Sequence, residues 1–224
     1  MATTAKQRFD QVMERCWNLL HETDTNKIEK SVCDDMRRYV VVLSVSALDA
    51  FASDRFMENF TRHIKSHKLS DAEVELLQES GVTVDVALEL LSDRTERPFR
   101  VIRSHVERHF SKHSCQSFDA INNLYKYLGL KHLVDDAMKK AEWKKLPSKI
   151  SKMLKRRHAI VHEGDFDGKH NLRSIDRNEV ERWLKATQML VESMDEIVSA
   201  CVKNNLSKKR NSKGAKRSAD VAFT

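Results

Sequence analysis

The chain has 224 residues and a formal net charge of +7, from 40 Lys plus Arg against 33 Asp plus Glu, a length that accommodates one domain with a sizeable core. Only 5 Gly and 2 Pro occur, too few for the tight hairpins of a many-stranded sheet or for glycine-rich phosphate loops. Nucleotide-fold enzymes and G-x-S-x-G hydrolases are thereby excluded, and an all-α fold is predicted. The four cysteines, Cys16, Cys33, Cys115 and Cys201, form no C-x-x-C pair and read as core thiols of a reducing cytoplasm. No signal-peptide pattern opens the chain. Its most apolar run, 39–52, is 14 residues long and carries Asp49, which does not span a bilayer.

In chain order, the spacing of apolar residues predicts a helix over 4–22 and a long central helix over 26–66, with Ile28, Val32, Met36, Tyr39, Leu43, Ala47, Ala50, Asp54, Met57, Phe60 and Ile64 three or four apart. Apolar and small residues occupy several faces between Val40 and Ala52, so this stretch is expected to be buried on more than one side. Ser70 and Glu73 fit a capping box opening a short helix that Gly81 ends, and 82–92 and 98–112 predict two more. Phe118 to Leu128 follows, stopped by Gly129. Pro147 starts a helix that Gly164 and Gly168 break, and Asp176 with Glu179 opens a long last helix. The expectation is an up-and-down helical bundle of about six to eight helices, a single domain over 1–204, and a disordered basic tail over 205–224.

The charge is unevenly placed. From Lys203 to Thr224 seven cations face only Asp220, and from Lys131 to Arg157 ten cations face Asp135, Asp136 and Glu142. The rest of the chain is therefore mildly acidic, and the two basic features read either as solvated surface or as contacts for an anionic partner. Tyr125, Tyr127 and Trp143 lie near the second feature; at helical spacing they read first as core and second as stacking platforms for unpaired bases. His105, His109 and His113 recur at i, i+4, i+8, and His63 and His67 repeat that spacing. Neither series has a Cys or carboxylate ligand beside it, so no metal and no cofactor is predicted.

The segment Arg156-Arg157-His158-Ala159-Ile160-Val161-His162-Glu163-Gly164-Asp165 has a plain structural reading. It is the end of an amphipathic helix, with Ile160 and Val161 in the core, cations near the C-terminal dipole and Gly164 as the stop. Arg157 and His162 differ by about 140° on a regular helix and share no face, whereas His158 and His162 do share one. An imidazole exchanges a proton near neutrality, and a guanidinium matches phosphate oxygens, so the residue types suit phosphodiester chemistry.

The same string resembles the signature of the HEPN superfamily, an all-α family whose motif is an Arg, a polar Asn, Asp or His, and a His after four to six intervening residues. Here these are Arg157, His158 and His162. R-R-H-A-I-V-H-E-G is most similar to the RiboL-PSP type, in which R-R-N-x-I-V-H and a Gly are common; His158 stands where that subgroup often has Asn. The stretch Ser46 to Phe56, with Asp49 and Asp54, resembles the small-residue-and-acid helix this family packs beside its motif.

The resemblance covers roughly residues 30 to 200 in architecture. It implies an endoribonuclease working as a homodimer, with two copies of the motif facing one phosphate; Glu163, Asp165 and Asp167 nearby have no partner spacing suited to Mg²⁺, so a metal-independent cut is predicted. Arg157 and His162 would be essential and His158 assisting. Lys149, Lys152, Lys155 and Arg156 would hold flanking phosphates of RNA. It further implies a toxin or anti-phage effector restrained by a cognate antitoxin or an associated defence protein. The alternative is a non-catalytic HEPN-like module that binds RNA, a nucleotide or a protein and regulates a partner.

Overall fold

A capping box opens α1 (Ala5–Glu22): Thr4 Oγ1 accepts from the Gln7 N–H, and the Gln7 side chain accepts from the Thr4 N–H. The computed structural model describes residues 3–25, 28–65, 67–91, 97–111 and 114–221, with side chains as far as Lys203 except Glu89 and Leu91. After α1 come α2 (Lys30–Ile64), α3 (Asp71–Glu79), α4 (Val84–Leu91), α5 (Pro98–Phe110), α6 (Phe118–Tyr125) with a 3-10 turn (Lys126–Leu128), α7 (Leu133–Lys140), α8 (Leu146–Glu163) and α9 (Arg177–Val221). The fold is all-α. Among the described residues the only extended pairing is an isolated antiparallel bridge between Phe166 and Leu172.

The 35-residue α2 is the axis around which the others pack. It lies against α1, α8 and α9, and more lightly against α5 and α6. Ser44, Val45, Leu48, Phe51 and Ala52 are each 1% exposed or less, and the small ones among them let neighbouring helices approach closely. Aromatic contacts fill the far half: Phe51 meets Phe9 edge-on at 5.8 Å, and Phe56 meets Phe60 at 5.1 Å and Tyr125 at 5.9 Å. Each fully buried side chain of this kind is worth about 1.5–3 kcal/mol over an exposed one. Tyr125 is fully buried and donates its hydroxyl to the Ala52 carbonyl at 3.0 Å. It is a core residue and no base-stacking platform. None of the four cysteines forms a disulfide among the described residues.

Three expectations change. The stripe read from the spacing on α2 is only partly core: Val32 and Tyr39 are about half exposed, Ala50 is exposed, and Asp54 pairs with Arg8 at 2.8 Å. The basic stretch 131–145 contains a helix, α7, that its charge concealed. Leu133, Val134 and Ala137 are buried against the bundle, acids occupy its first turn and lysines its last, an arrangement that complements the helix dipole. The backbone of α9 is helical as far as Val221, where composition predicts a disordered tail. Lys, Arg, Ala and Ser are compatible with helix, and Gly214 alone is a poor former. Residues 222–224 lie outside the described residues. No helix among the described residues is long and apolar enough to cross a membrane.

Candidate functional site

The phase of α8 decides what each residue of the motif does. Leu146, Ile150 and Met153 are fully buried, and Arg157 follows them at the same i+3, i+4 spacing, so it continues the inward stripe. It is half-buried, and its Nε is buried with no hydrogen-bond partner. His158 and His162 lie on the opposite, exposed side with ring centroids 4.7 Å apart. No carboxylate among the described residues pairs with any of the three. Val161, expected in the core, is 46% exposed beside them, whereas Ile160 is half-buried.

Arg156, one residue earlier and rotated by about 100°, has a different task. Its Nη2 donates to Asp165 Oδ2 at 2.8 Å and to the carbonyls of Ser174 and Arg173 at 2.8 and 3.2 Å. Asp165, only 1% exposed, also accepts from Arg38 Nε at 2.7 Å. Arg38 in turn donates to Asp35 Oδ1 and the Arg173 carbonyl. Arg156 is therefore part of the scaffold and does not stand free for a phosphate, as the sequence reading had it. Lys152 and Lys155 are exposed and Lys149 half-buried. On the helical wheel Lys155 falls about 20° from His162 and Lys152 about 80°, while Lys149 is about 140° away.

The chain turns sharply where α8 stops. Gly164 takes the left-handed φ of 64°, and both its N–H and that of Asp165 reach the Ala159 carbonyl, which ends the helix. A Cβ at Gly164 would stand 3.3 Å from the Phe166 ring, so glycine suits both the left-handed turn and the close approach. Asp165 also has positive φ, 64°. The chain then folds into a short loop tied by the Arg173 N–H to the Asp165 carbonyl, 2.9 Å. Asp167 Oδ1 accepts the N–H groups of Asn171 and Lys169, and these donors hold its carboxyl below the usual range. Phe166 and Leu172, the bridged pair, are 47% and 52% exposed.

Asp49 and Asp54 are not beside the motif. Ser44 Oγ lies 3.6 Å from Met153 Sδ, and Arg38 meets Asp165, so α2 and α8 run antiparallel and the motif is level with 38–44. At about 1.5 Å per residue, Asp49 and Asp54 lie about 8 and 15 Å beyond Ser44 in the other direction. Asp49 instead accepts from the Cys115 N–H, Ser114 Oγ and Gln116 Nε2, pinning that loop. The two acids line a cleft of about 400 Å³ with Ser46, Ser53 and Glu107.

No grouping of metal-ligating size among the described residues includes His158 or His162. The one such grouping is His63, His67 and Glu73, which sequence reading missed. Glu73 showed there only as a capping-box acid. In the other histidine series His105 Nδ1 contacts the Ser80 carbonyl at 3.1 Å, and His113 lies outside the described residues.

An all-α bundle with an Arg and two His at the end of a helix that packs on a long central helix defines the class of protein. A family model, the RiboL-PSP-HEPN domain, matches residues 15–200, and the chain belongs to this family. Comparison with curated proteins and with solved structures returns no match.

The Asp165 pairing generates a stability prediction. Removing the carboxylate strands two guanidinium groups, one of them buried, and breaking a buried pair from one side costs about 3–5 kcal/mol. Urea unfolding of Asp165→Ala is expected to show a loss of that size; a loss below about 1 kcal/mol would contradict the assignment.

Proposed function

We propose that this chain is a metal-independent endoribonuclease whose active site is completed across a homodimer. The observation that carries the reading is the exposed His158/His162 imidazole pair, with Arg157 close by and no acid paired to any of them. RNA strand cleavage needs a base to take the ribose 2′-OH proton, positive charge for the phosphorane and an acid for the leaving 5′-oxygen. One imidazole takes the first proton and another returns one to the 5′-oxygen, while Arg157 stabilises the extra negative charge without titrating. The products are a 2′,3′-cyclic phosphate and a 5′-hydroxyl.

The acids nearest the motif have other work: Asp165 is buried under Arg38 and Arg156, Asp167 closes its own loop, and Glu163 faces Arg173 at 3.7 Å. They do not form a carboxylate set for Mg²⁺. Lys155 and Lys152 flank the imidazole face and are the residues of the basic stretch best placed for neighbouring phosphates, with the tail from 205 onward adding salt-sensitive, sequence-blind attraction.

Arg157 and His162 point to different sides of α8, so a single copy makes a loose site. The apolar side chains around the motif supply a reason for a second copy: Val161, Phe166 and Leu172 with Tyr39 of α2 are all about half exposed. An unpartnered apolar rim of this kind marks a contact surface, and a two-fold contact there brings two motifs together. Family membership supports a ribonuclease; a toxin or anti-phage role in the cytoplasm, restrained by an antitoxin or an associated defence protein, is part of the proposal.

With total RNA in EDTA, wild type is expected to cleave, and Arg157→Ala and His162→Ala of equal helicity to lose about 10²-fold or more. Equal cleavage by all three, or none by any, would overturn the catalytic reading. Phe166→Asp, at an exposed position, is expected to keep the fold, sediment as a monomer and lose cleavage; a wild type that sediments only as a monomer at micromolar concentration contradicts the composite site.

A further inference from the structure

At the far end of α2 from the motif, about 28 Å beyond Ser44 along the helix axis, three side chains from two helices converge. His63 lies in the last turn of α2, His67 just past its end, and Glu73 in the first turn of α3. Their nitrogen and oxygen atoms all lie within 4.8 Å of one another. We propose that His63, His67 and Glu73 form a three-ligand site for a zinc-class divalent cation, with a fourth position open to solvent, clamping the end of α2 to the start of α3.

The geometry carries this in four ways. Glu73 is 3% exposed, and a carboxylate is rarely taken that far from water without strong compensation. Its two oxygens are treated very differently. Oε2 receives the Ser70 N–H at 2.7 Å, the Ser70 hydroxyl at 2.7 Å and contacts His67 Nε2 at 3.0 Å. Oε1 is buried with no hydrogen-bond partner, although His63 Nε2 stands 3.2 Å away. That separation is close to the edge of a tetrahedron with bonds of about 2.0–2.1 Å, which is about 3.3–3.4 Å. A cation beside Oε1 satisfies the oxygen that the protein leaves without a donor.

The orientation of His67 fits the same role. Its Nδ1 lies 3.0 Å from the His63 carbonyl, which can only accept, so with a metal at Nε2 the remaining ring proton sits on Nδ1 and is donated to that carbonyl. Metal-bound histidines are held in this way, the second ring nitrogen donating to a carbonyl. The two rings sit 4.5 Å apart at 58°, which brings two imidazoles to one point. Two imidazoles and a carboxylate suit zinc and its neighbours better than Mg²⁺ or Ca²⁺, which prefer all-oxygen shells.

Burial, and then the charge of neighbouring His67, hold His63 below the ordinary imidazole value against the opposing pull of Glu73. Burial alone would raise the Glu73 carboxyl, but the Ser70 N–H, the Ser70 hydroxyl and His67 outweigh it and keep it low. The site is remote from Arg157 and His162, so it stabilises the fold and takes no part in the phosphodiester chemistry proposed above, and it stands or falls independently of that reading.

Calorimetric titration of Zn²⁺ into the full chain, first stripped with EDTA and desalted, tests the proposal on wild type, His67→Ala and His162→Ala. His67 lies outside the helices and is partly exposed, so its truncation leaves the bundle intact, and thermal melts of the zinc-free proteins verify this. One equivalent bound at micromolar affinity or tighter is expected, at least tenfold weaker in His67→Ala and unchanged in His162→Ala. Zinc is also expected to raise the melting temperature of wild type but not of His67→Ala. No binding, or binding that survives His67→Ala, would overturn the site, as would binding lost in His162→Ala, which would assign the metal to the His158/His162 pair.

Discussion

Asp165 holds the working end of the molecule in place. Its buried carboxylate receives Arg38 from α2 and Arg156 from α8 on a single oxygen, while its backbone ends α8 and begins the loop that carries Phe166. Each of the two arginines also ties down the Arg173 carbonyl. The last turn of α8, the loop and the first third of α2 are thus bound to one charge. A left-handed residue costs strain when it is not glycine, and Asp tolerates it better than most; two guanidinium partners offset the cost.

The adjacent Arg156 and Arg157 show how helix phase divides labour between identical side chains. A rotation of about 100° sends Arg156 to the Asp165 carboxylate and Arg157 along the stripe of Leu146, Ile150 and Met153. The first is neutralised and structural. The second is a half-buried cation with no acid beside it among the described residues, and in the proposed function it is the one that meets an anion from outside. The imidazoles of His158 and His162 occupy the remaining solvent side, and Val161 is exposed as well.

The motif was legible in the sequence because it is contiguous, and so was the helical fold, since Thr4, Ser70, Gly129 and Gly164 punctuate the chain where helices start and stop. What escaped were relations between distant segments. Arg38 reaches Asp165 across 127 residues, and nothing in either local pattern announces it. The helix that carries Asp49 and Asp54 packs on α8, but antiparallel packing sets these two acids away from the motif. Val32 and Tyr39 had the spacing of core and turned out half exposed, since periodicity reports an apolar face without saying what covers it. The helix α7 was hidden because lysines dominate its composition, although Leu133, Val134 and Ala137 mark its inner face. Glu73 announced its capping role, but its convergence with His63 and His67 depends on how α2 meets α3.

Under the proposed function the molecule separates positioning from chemistry: the acids and Arg156 build the frame, and Arg157, His158 and His162 at its edge are the groups proposed to move protons and bear charge toward a phosphate. The most direct measurement of that claim is the chemistry of the cut ends. An oligoribonucleotide incubated with the full chain in EDTA is expected to yield fragments with 2′,3′-cyclic phosphate and 5′-hydroxyl termini, with no cleavage of the same sequence bearing 2′-O-methyl riboses. Cleavage of the methylated strand, or fragments ending in 3′-hydroxyl and 5′-phosphate, would contradict it.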